Sequence, residues 1–124
     1  MSGQLLGLHH VQLAAPPGSD ELSRHFYGTV LGMKEVPKPP GLAARGGVWF
    51  RSGAFELHVG IEDGFRPAGK AHPGIIVSDL DAVVKRLGDH GVAVQWDDNF
   101  PGFRRCHLAD PHGNRLELLE PDRG

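Results

Sequence analysis

The chain has 124 residues, room for one domain or two tightly paired half-domains. Its net charge of −2 and pI near 6.4 give no electrostatic case for nucleic acid or an anionic membrane, and no apolar run approaches the ~20 residues that span a bilayer. The N-terminus lacks the pattern of a signal peptide, and Cys106 is the sole cysteine, so no intrachain disulfide forms and a reducing cytoplasm is the expected compartment.

After a short lead-in, His10–Ala15 alternates as a strand, with Val11, Leu13 and Ala15 on one face and His10, Gln12 and Ala14 on the other. Pro16-Pro17-Gly18 ends it. Ser19 is the expected cap of a helix whose first turn carries Asp20 and Glu21. Leu22, Phe26 and Val30, joined by Tyr27 and Leu31, form its apolar stripe, and Gly32 stops it. Met33–Val36 reads as a second strand, broken by Pro37 and the Pro39-Pro40-Gly41 loop. Val48–Arg51 and Ala54–Val59 read as a hairpin turned at Ser52-Gly53. Gly60–Lys70 is the linker that follows, with Phe65 and Arg66 placed to rim a cavity.

The plan then repeats. His72–Val77 is a strand, and Ser78 and Asp81 are expected to cap a helix carrying Leu80, Val83, Val84 and Leu87, with Gly91 beyond its end. Val92–Trp96 and Phe103–Ala109 are strands separated by a loop. Asp110-Pro111-His112-Gly113 has the composition of a β-turn and feeds the last strand, Asn114–Glu120. Each module is a strand, a helix and three strands, residues 5–62 and 70–122. The expected fold class is α+β, with two paired βαβββ modules.

Glu117 lies centrally in that last apolar strand, where a buried carboxylate needs a charged partner or a metal. It follows His72 by 45 residues, and Glu56 follows His10 by 46. His10, Glu56, His58, His72 and Glu117 all project from the sheet face opposite the helices. Two imidazoles and two carboxylates suit a divalent ion such as Zn, Ni, Co, Mn or Fe. The competing reading pairs Glu56 and Glu117 with Arg51 or Arg115 at a sheet edge. Arg105 and His107 share a strand face and are candidates for touching a ligand, Arg105 through bidentate recognition of an anion, and Trp49 is a candidate pocket wall. His25, His90 and His112 read as solvated, and Cys106 as a small apolar residue.

The segments LHHVQL, FYGTVLGM, HPGIIVSDLD and DPHGNRLELLE, in that order across about residues 5–121, resemble the vicinal oxygen chelate superfamily of glyoxalases, bleomycin-resistance proteins and extradiol dioxygenases. The resemblance implies a curled mixed sheet around a divalent metal held by His10, Glu56, His72 and Glu117, with His58 as the alternative second ligand. It implies a metal-dependent isomerase or lyase that stabilises an enediolate or oxyanion of a small carbonyl or hydroxy compound, Glu117 or Glu56 serving as the base. A set of two His and one Glu would instead suit an extradiol-type Fe(II) dioxygenase, and a cavity without metal a drug-binding protein. Ala14 and Gly60 stand where bacterial glyoxalase I carries glutathione-binding Arg and Asn, so the resemblance stops short of that cosubstrate. Short relatives also imply a homodimer in which His10 and Glu56 of one subunit meet His72 and Glu117 of the other.

Overall fold

The alternating segments fold into two four-stranded sheets in a computed structural model that describes residues 3–123. The first contains β1 (His10–Ala15), β2 (Lys34–Val36), β3 (Val48–Ser52) and β4 (Phe55–Ile61), in the spatial order β1-β4-β3-β2. The second contains β5 (Gly74–Ile76), β6 (Gln95–Asp97), β7 (Phe103–Ala109) and β8 (Arg115–Pro121), in the equivalent order β5-β8-β7-β6. Within each sheet the first and last strands pair in parallel and the others antiparallel. The α+β architecture of two mixed sheets therefore stands as expected, each sheet keeping its own hydrogen-bonded ladder.

Several local expectations shift. The first helix opens as one α-helical turn, α1 (Asp20–Ser23), and continues with π-type winding through Arg24–Val30. An i→i+5 bond from Leu31 N to Phe26 O at 2.9 Å marks that winding, which breaks the 3.6-residue period used to place Leu22 in the stripe. Leu22 is 55% exposed, whereas Phe26, Tyr27 and Val30 are buried. Ser19 precedes the helix but makes no side-chain cap; its hydroxyl donates to the Pro16 carbonyl at 2.6 Å. The proline loop contains an unforeseen short turn, α2 (Pro40–Ala43), whose first position suits a residue without an N–H. Strand β5 begins at Gly74, two residues after His72, because Pro73 has no N–H to donate. The cap of α3 (Leu80–Asp89) is Asp79, which accepts from Ala82 N at 3.1 Å, and not Ser78 or Asp81. Strand β6 starts at Gln95, leaving Val92 and Val94 to pack on the core.

One hydrophobic core runs through both modules. It joins Tyr27, Val30, Phe50 and Leu57 to Leu80, Leu87, Cys106, Leu116 and Leu118, all nearly inaccessible. Each such leucine contributes about 1.5–3 kcal/mol through burial. Polar bonds lock the halves together: Tyr27 Oη donates to Asp110 Oδ2 at 2.6 Å, Asn114 Nδ2 to Ala14 O at 2.8 Å, and Arg86 Nε to Val30 O at 3.1 Å. Because core residues occupy one face of each strand, the polar residues between them are set on the other.

Candidate metal centre

The alternation of β8 buries Leu116 and Leu118 in the core and turns Glu117 to the opposite face, 7% exposed. Its Oε1 lies 2.9 Å from His72 Nε2, and its Oε2 accepts from Arg105 Nη1 at 2.9 Å. His107, the cross-strand neighbour of Glu117, has Nε2 3.9 Å from Oε1. One donor atom from each of His72, His107 and Glu117 lies within 4.8 Å of the others, the only such cluster among the described residues. Burial pushes the Glu117 carboxyl up, but hydrogen bonds from Arg105 and His72 outweigh it and leave the group below the usual carboxylate range. Burial and the nearby Arg115 charge hold His107 below an ordinary histidine, favouring its neutral, ligating form. The arginine paired with Glu117 is thus Arg105, not Arg115, and the two lie on the interior strands β7 and β8 rather than at a sheet edge. Arg105 is itself held 3.3 Å from Asp97.

The first module presents a different arrangement. His58 is 2% exposed and sandwiched between two rings, His10 at 4.1 Å and Trp49 at 3.8 Å between centroids. Its Nε2 lies 2.8 Å from Glu56 Oε1, while Glu56 Oε2 accepts from Arg51 Nη2 at 2.6 Å. Those bonds from His58 and Arg51 lower Glu56 to about 2. Burial lowers His58, so its ring is neutral, and the carboxylate acceptor puts the proton on Nε2. Nδ1 then carries the lone pair. A carboxylate fixing the tautomer of an imidazole is the arrangement found behind metal-bound histidines.

Strand register changes which residues correspond. Gln12 lies opposite His58 in the parallel β1–β4 pair, and Gly74 lies opposite Glu117 in the β5–β8 pair. His10 and His72 each stand two residues before those positions. His58, rather than Glu56, therefore holds the place equivalent to Glu117, and Trp49 the place equivalent to His107. Equal counting from His10 to Glu56 and from His72 to Glu117 matched the residues but not the ladders.

A cavity of about 830 Å³ lies at the seam of the two modules, between β1 and β5 and beneath the linker, and His10, Glu56 and His72 line it. Glu117 and His107 do not, so the cavity reaches their cluster through His72. His10, Glu56 and His72 thus all line one cavity within a single chain. Ala14 and Gly60, the two departures from the glutathione-binding pattern, are cross-strand partners. A side chain at Gly60 would begin 2.5 Å from Gln12 Nε2, so Gln12 fills the space there. Of the residues expected to touch substrate, Trp49 is spent stacking on His58, Arg105 on Glu117 and Asp97, and His107 joins the cluster. The sequence pattern had no signal for Gln12, which lies on a strand face already assigned to polar residues.

The donor set fits a divalent ion. Lys70 O lies 2.7 Å from His72 Nδ1, which places a proton there and points Nε2 at a second acceptor, Glu117. A ring lone pair facing a carboxylate oxygen is relieved when both atoms coordinate one cation as neighbouring ligands. Paired βαβββ modules with imidazole and carboxylate donors on the face opposite the helices define the glyoxalase-like fold. Residues 7–118 match the Glyoxalase/Bleomycin resistance protein/Dioxygenase superfamily, and the chain belongs to it. It is 43% identical to a glyoxalase family protein from Bacillus anthracis, with 98% of this chain and 100% of that one covered and a TM-score of 0.94. An antibiotic-binding protein from Streptomyces sp. CB03234 is 26% identical, with 96% and 100% covered and a TM-score of 0.70. A lactoylglutathione lyase from Agrobacterium tumefaciens shares the fold at 22% identity and a TM-score of 0.71, with 92% of each chain covered. No match was found among curated proteins. Among the described residues no helix is long and apolar enough to cross a membrane.

Proposed function

We propose that the chain is a metal-dependent isomerase or lyase acting on a small carbonyl or hydroxy compound in the seam cavity, with no requirement for glutathione. The observation that carries this reading is the convergence of His72, His107 and Glu117 within 4.8 Å of one another. His72, Glu117 and His107 would hold the divalent ion, with His10 and His58 as the first module's ligand positions. The ion, when bound, supplies Lewis-acid stabilisation of negative charge on a substrate oxygen. Arg105 keeps Glu117 ionised and oriented, and a Glu117 carboxylate displaced from the ion by substrate would be the group that accepts a proton. Gln12, whose Nε2 occupies the space a side chain at Gly60 would need, supports the reading without glutathione.

Metal analysis of protein purified without chelator tests the assignment. We expect close to one equivalent of a divalent ion, lost in His72→Ala and in Glu117→Gln protein that remains folded. Full retention in both variants overturns the ligand set, and a metal-free wild-type protein favours a binding role like that of the Streptomyces relative. The two-His, one-Glu composition of the cluster favours a second reading, Fe(II)-dependent oxygen chemistry. Oxygen consumption with a catechol confined to the Fe²⁺ form would select it. A homodimer, the commonest assembly of soluble proteins, is part of the proposal, with sedimentation as its check.

A further inference from the structure

The seam cavity has a composition that the metal donors do not account for. Its apolar wall includes Leu8, Phe55, Phe65 and Ile76, and its volume of about 830 Å³ lies in the range that encloses a drug-sized molecule. Two arginines, Arg66 from the linker and Arg115 from β8, complete the lining. Five arginines outside the lining are engaged, Arg24, Arg51, Arg104 and Arg105 in ion pairs and Arg86 on the Val30 carbonyl, while Arg45 and Arg123 lie outside the cavity. Arg66 and Arg115 have no such partner among the described residues. The one acidic residue in the lining, Glu56, already accepts from Arg51 and His58. The cavity therefore offers two guanidinium groups free of ion pairs beside aromatic and aliphatic walls, with no free carboxylate to oppose them.

We infer that the cavity binds an organic anion with an aromatic or bulky apolar body, its carboxylate held by Arg66 and Arg115. Guanidinium groups are suited to carboxylates because their paired N–H donors match the two oxygens. Arg115 lies two residues before Glu117 on the same strand face, so an anion held there lies next to the His72 cluster. Phe55 and Phe65 supply flat surfaces for a ring, and Leu8 and Ile76, otherwise exposed, gain cover when the cavity fills. The substrate class that follows is an aryl or alkyl carboxylate bearing a carbonyl or hydroxyl group. This inference rests on the reading of the cavity as the substrate site, but not on the metal, because the arginines belong to the protein alone.

Titration calorimetry on metal-stripped, desalted protein tests it with naphthylacetate, the neutral naphthylethanol of matching body, and acetate. Naphthylacetate should bind roughly tenfold or more tighter than either of the others, the scale of a charged hydrogen bond. Arg66→Gln and Arg115→Gln should each lose most of that preference while binding naphthylethanol as before, and Arg45→Gln, outside the cavity, should bind like the wild type. No binding of naphthylacetate, equal affinity for the alcohol, or unchanged preference in both cavity variants overturns the inference. Metal content of the same variants, measured before stripping, keeps the outcomes apart. Loss of anion preference with full metal content supports an anion site beside an intact centre. Anion binding that survives in a chain unable to hold metal would refute the metal reading alone.

Discussion

Replacing His58 and Glu56 separately decides between register and residue count. Both residues lie on β4 and touch each other, His58 Nε2 to Glu56 Oε1 at 2.8 Å, so both variants should weaken metal binding if the site extends into the first module. They should not do so equally. If His58 ligates through Nδ1, Glu56 acts by fixing its tautomer, and removing such a partner costs about 10–100-fold in metal affinity, or about 1.4–2.7 kcal/mol. Glu56→Ala is therefore expected to fall in that interval. His58→Ala removes the ligand itself and should exceed it. Glu56→Gln keeps an acceptor oxygen for Nε2–H and should lose less than Glu56→Ala. Competition of each protein with a chelating metal indicator at neutral pH gives the affinities, and near-ultraviolet circular dichroism verifies the fold. A larger loss in Glu56→Ala than in His58→Ala would refute the argument from register and restore Glu56 as the ligand.

Two further outcomes follow from the buried polar groups. Tyr27→Phe deletes the bond to Asp110 Oδ2, which still accepts from Asn114 Nδ2 at 3.0 Å, so urea unfolding should show a loss of about 1.5–3 kcal/mol with an unchanged m-value; a loss below about 0.5 kcal/mol would show that the hydroxyl contributes nothing to joining the modules. In metal-stripped protein, stability should fall on acidification: the folded state keeps His58 and His107 neutral where the unfolded chain takes up protons below about 6.5, and it holds Glu56 and Glu117 ionised where the unfolded carboxyls protonate below about 4.5, the Glu56 part being lost as pH falls toward about 2. In each interval the unfolded chain binds more protons, so a urea midpoint that rises between about pH 7 and 4 would contradict these assignments.

The parts of the fold that could be read from the sequence are those where one local rule acts alone. The turn at Asp110 is an example: Gly113 N donates to Asp110 O at 3.0 Å, and Asp110 Oδ1 accepts from both His112 N and Asn114 N, as the Asp-Pro-His-Gly composition requires. The faces of β1, β4 and β8 were equally legible, because a period of two leaves little choice once one face is buried. Leu22 shows where such reading fails. Its spacing to Phe26 and Val30 is helical, but the change to π-type winding after Ser23 rotates it out of the core. No local pattern announces that change.

The site shows a subtler limit, and it bears on how duplicated modules are compared. His10 and His72 were correctly matched by their strands, and Glu117 needed a partner on charge grounds alone, which His72 and Arg105 provide. Glu56 was matched to Glu117 because their distances along the chain agree within one residue. Chain distance adds the strand positions to the lengths of helix and loop between them, and the modules differ there: the first inserts α2 and a π-wound helix, the second has neither. By the ladder, His58 follows His10 by 48 residues and Glu117 follows His72 by 45, so a matched count from His10 stops at Glu56, two residues short on the same strand face. The ladder has no such freedom, since Gln12 opposite His58 and Gly74 opposite Glu117 are fixed by backbone bonds. The two-residue step preserves the face, so Glu56 and His58 both project from it. Glu56 then became the carboxylate behind His58, held by Arg51, and the first module presents an imidazole where the second presents a carboxylate. That asymmetry leaves Glu117 as the single carboxylate at the equivalent positions, beside the His107 that Trp49 replaces in the first module.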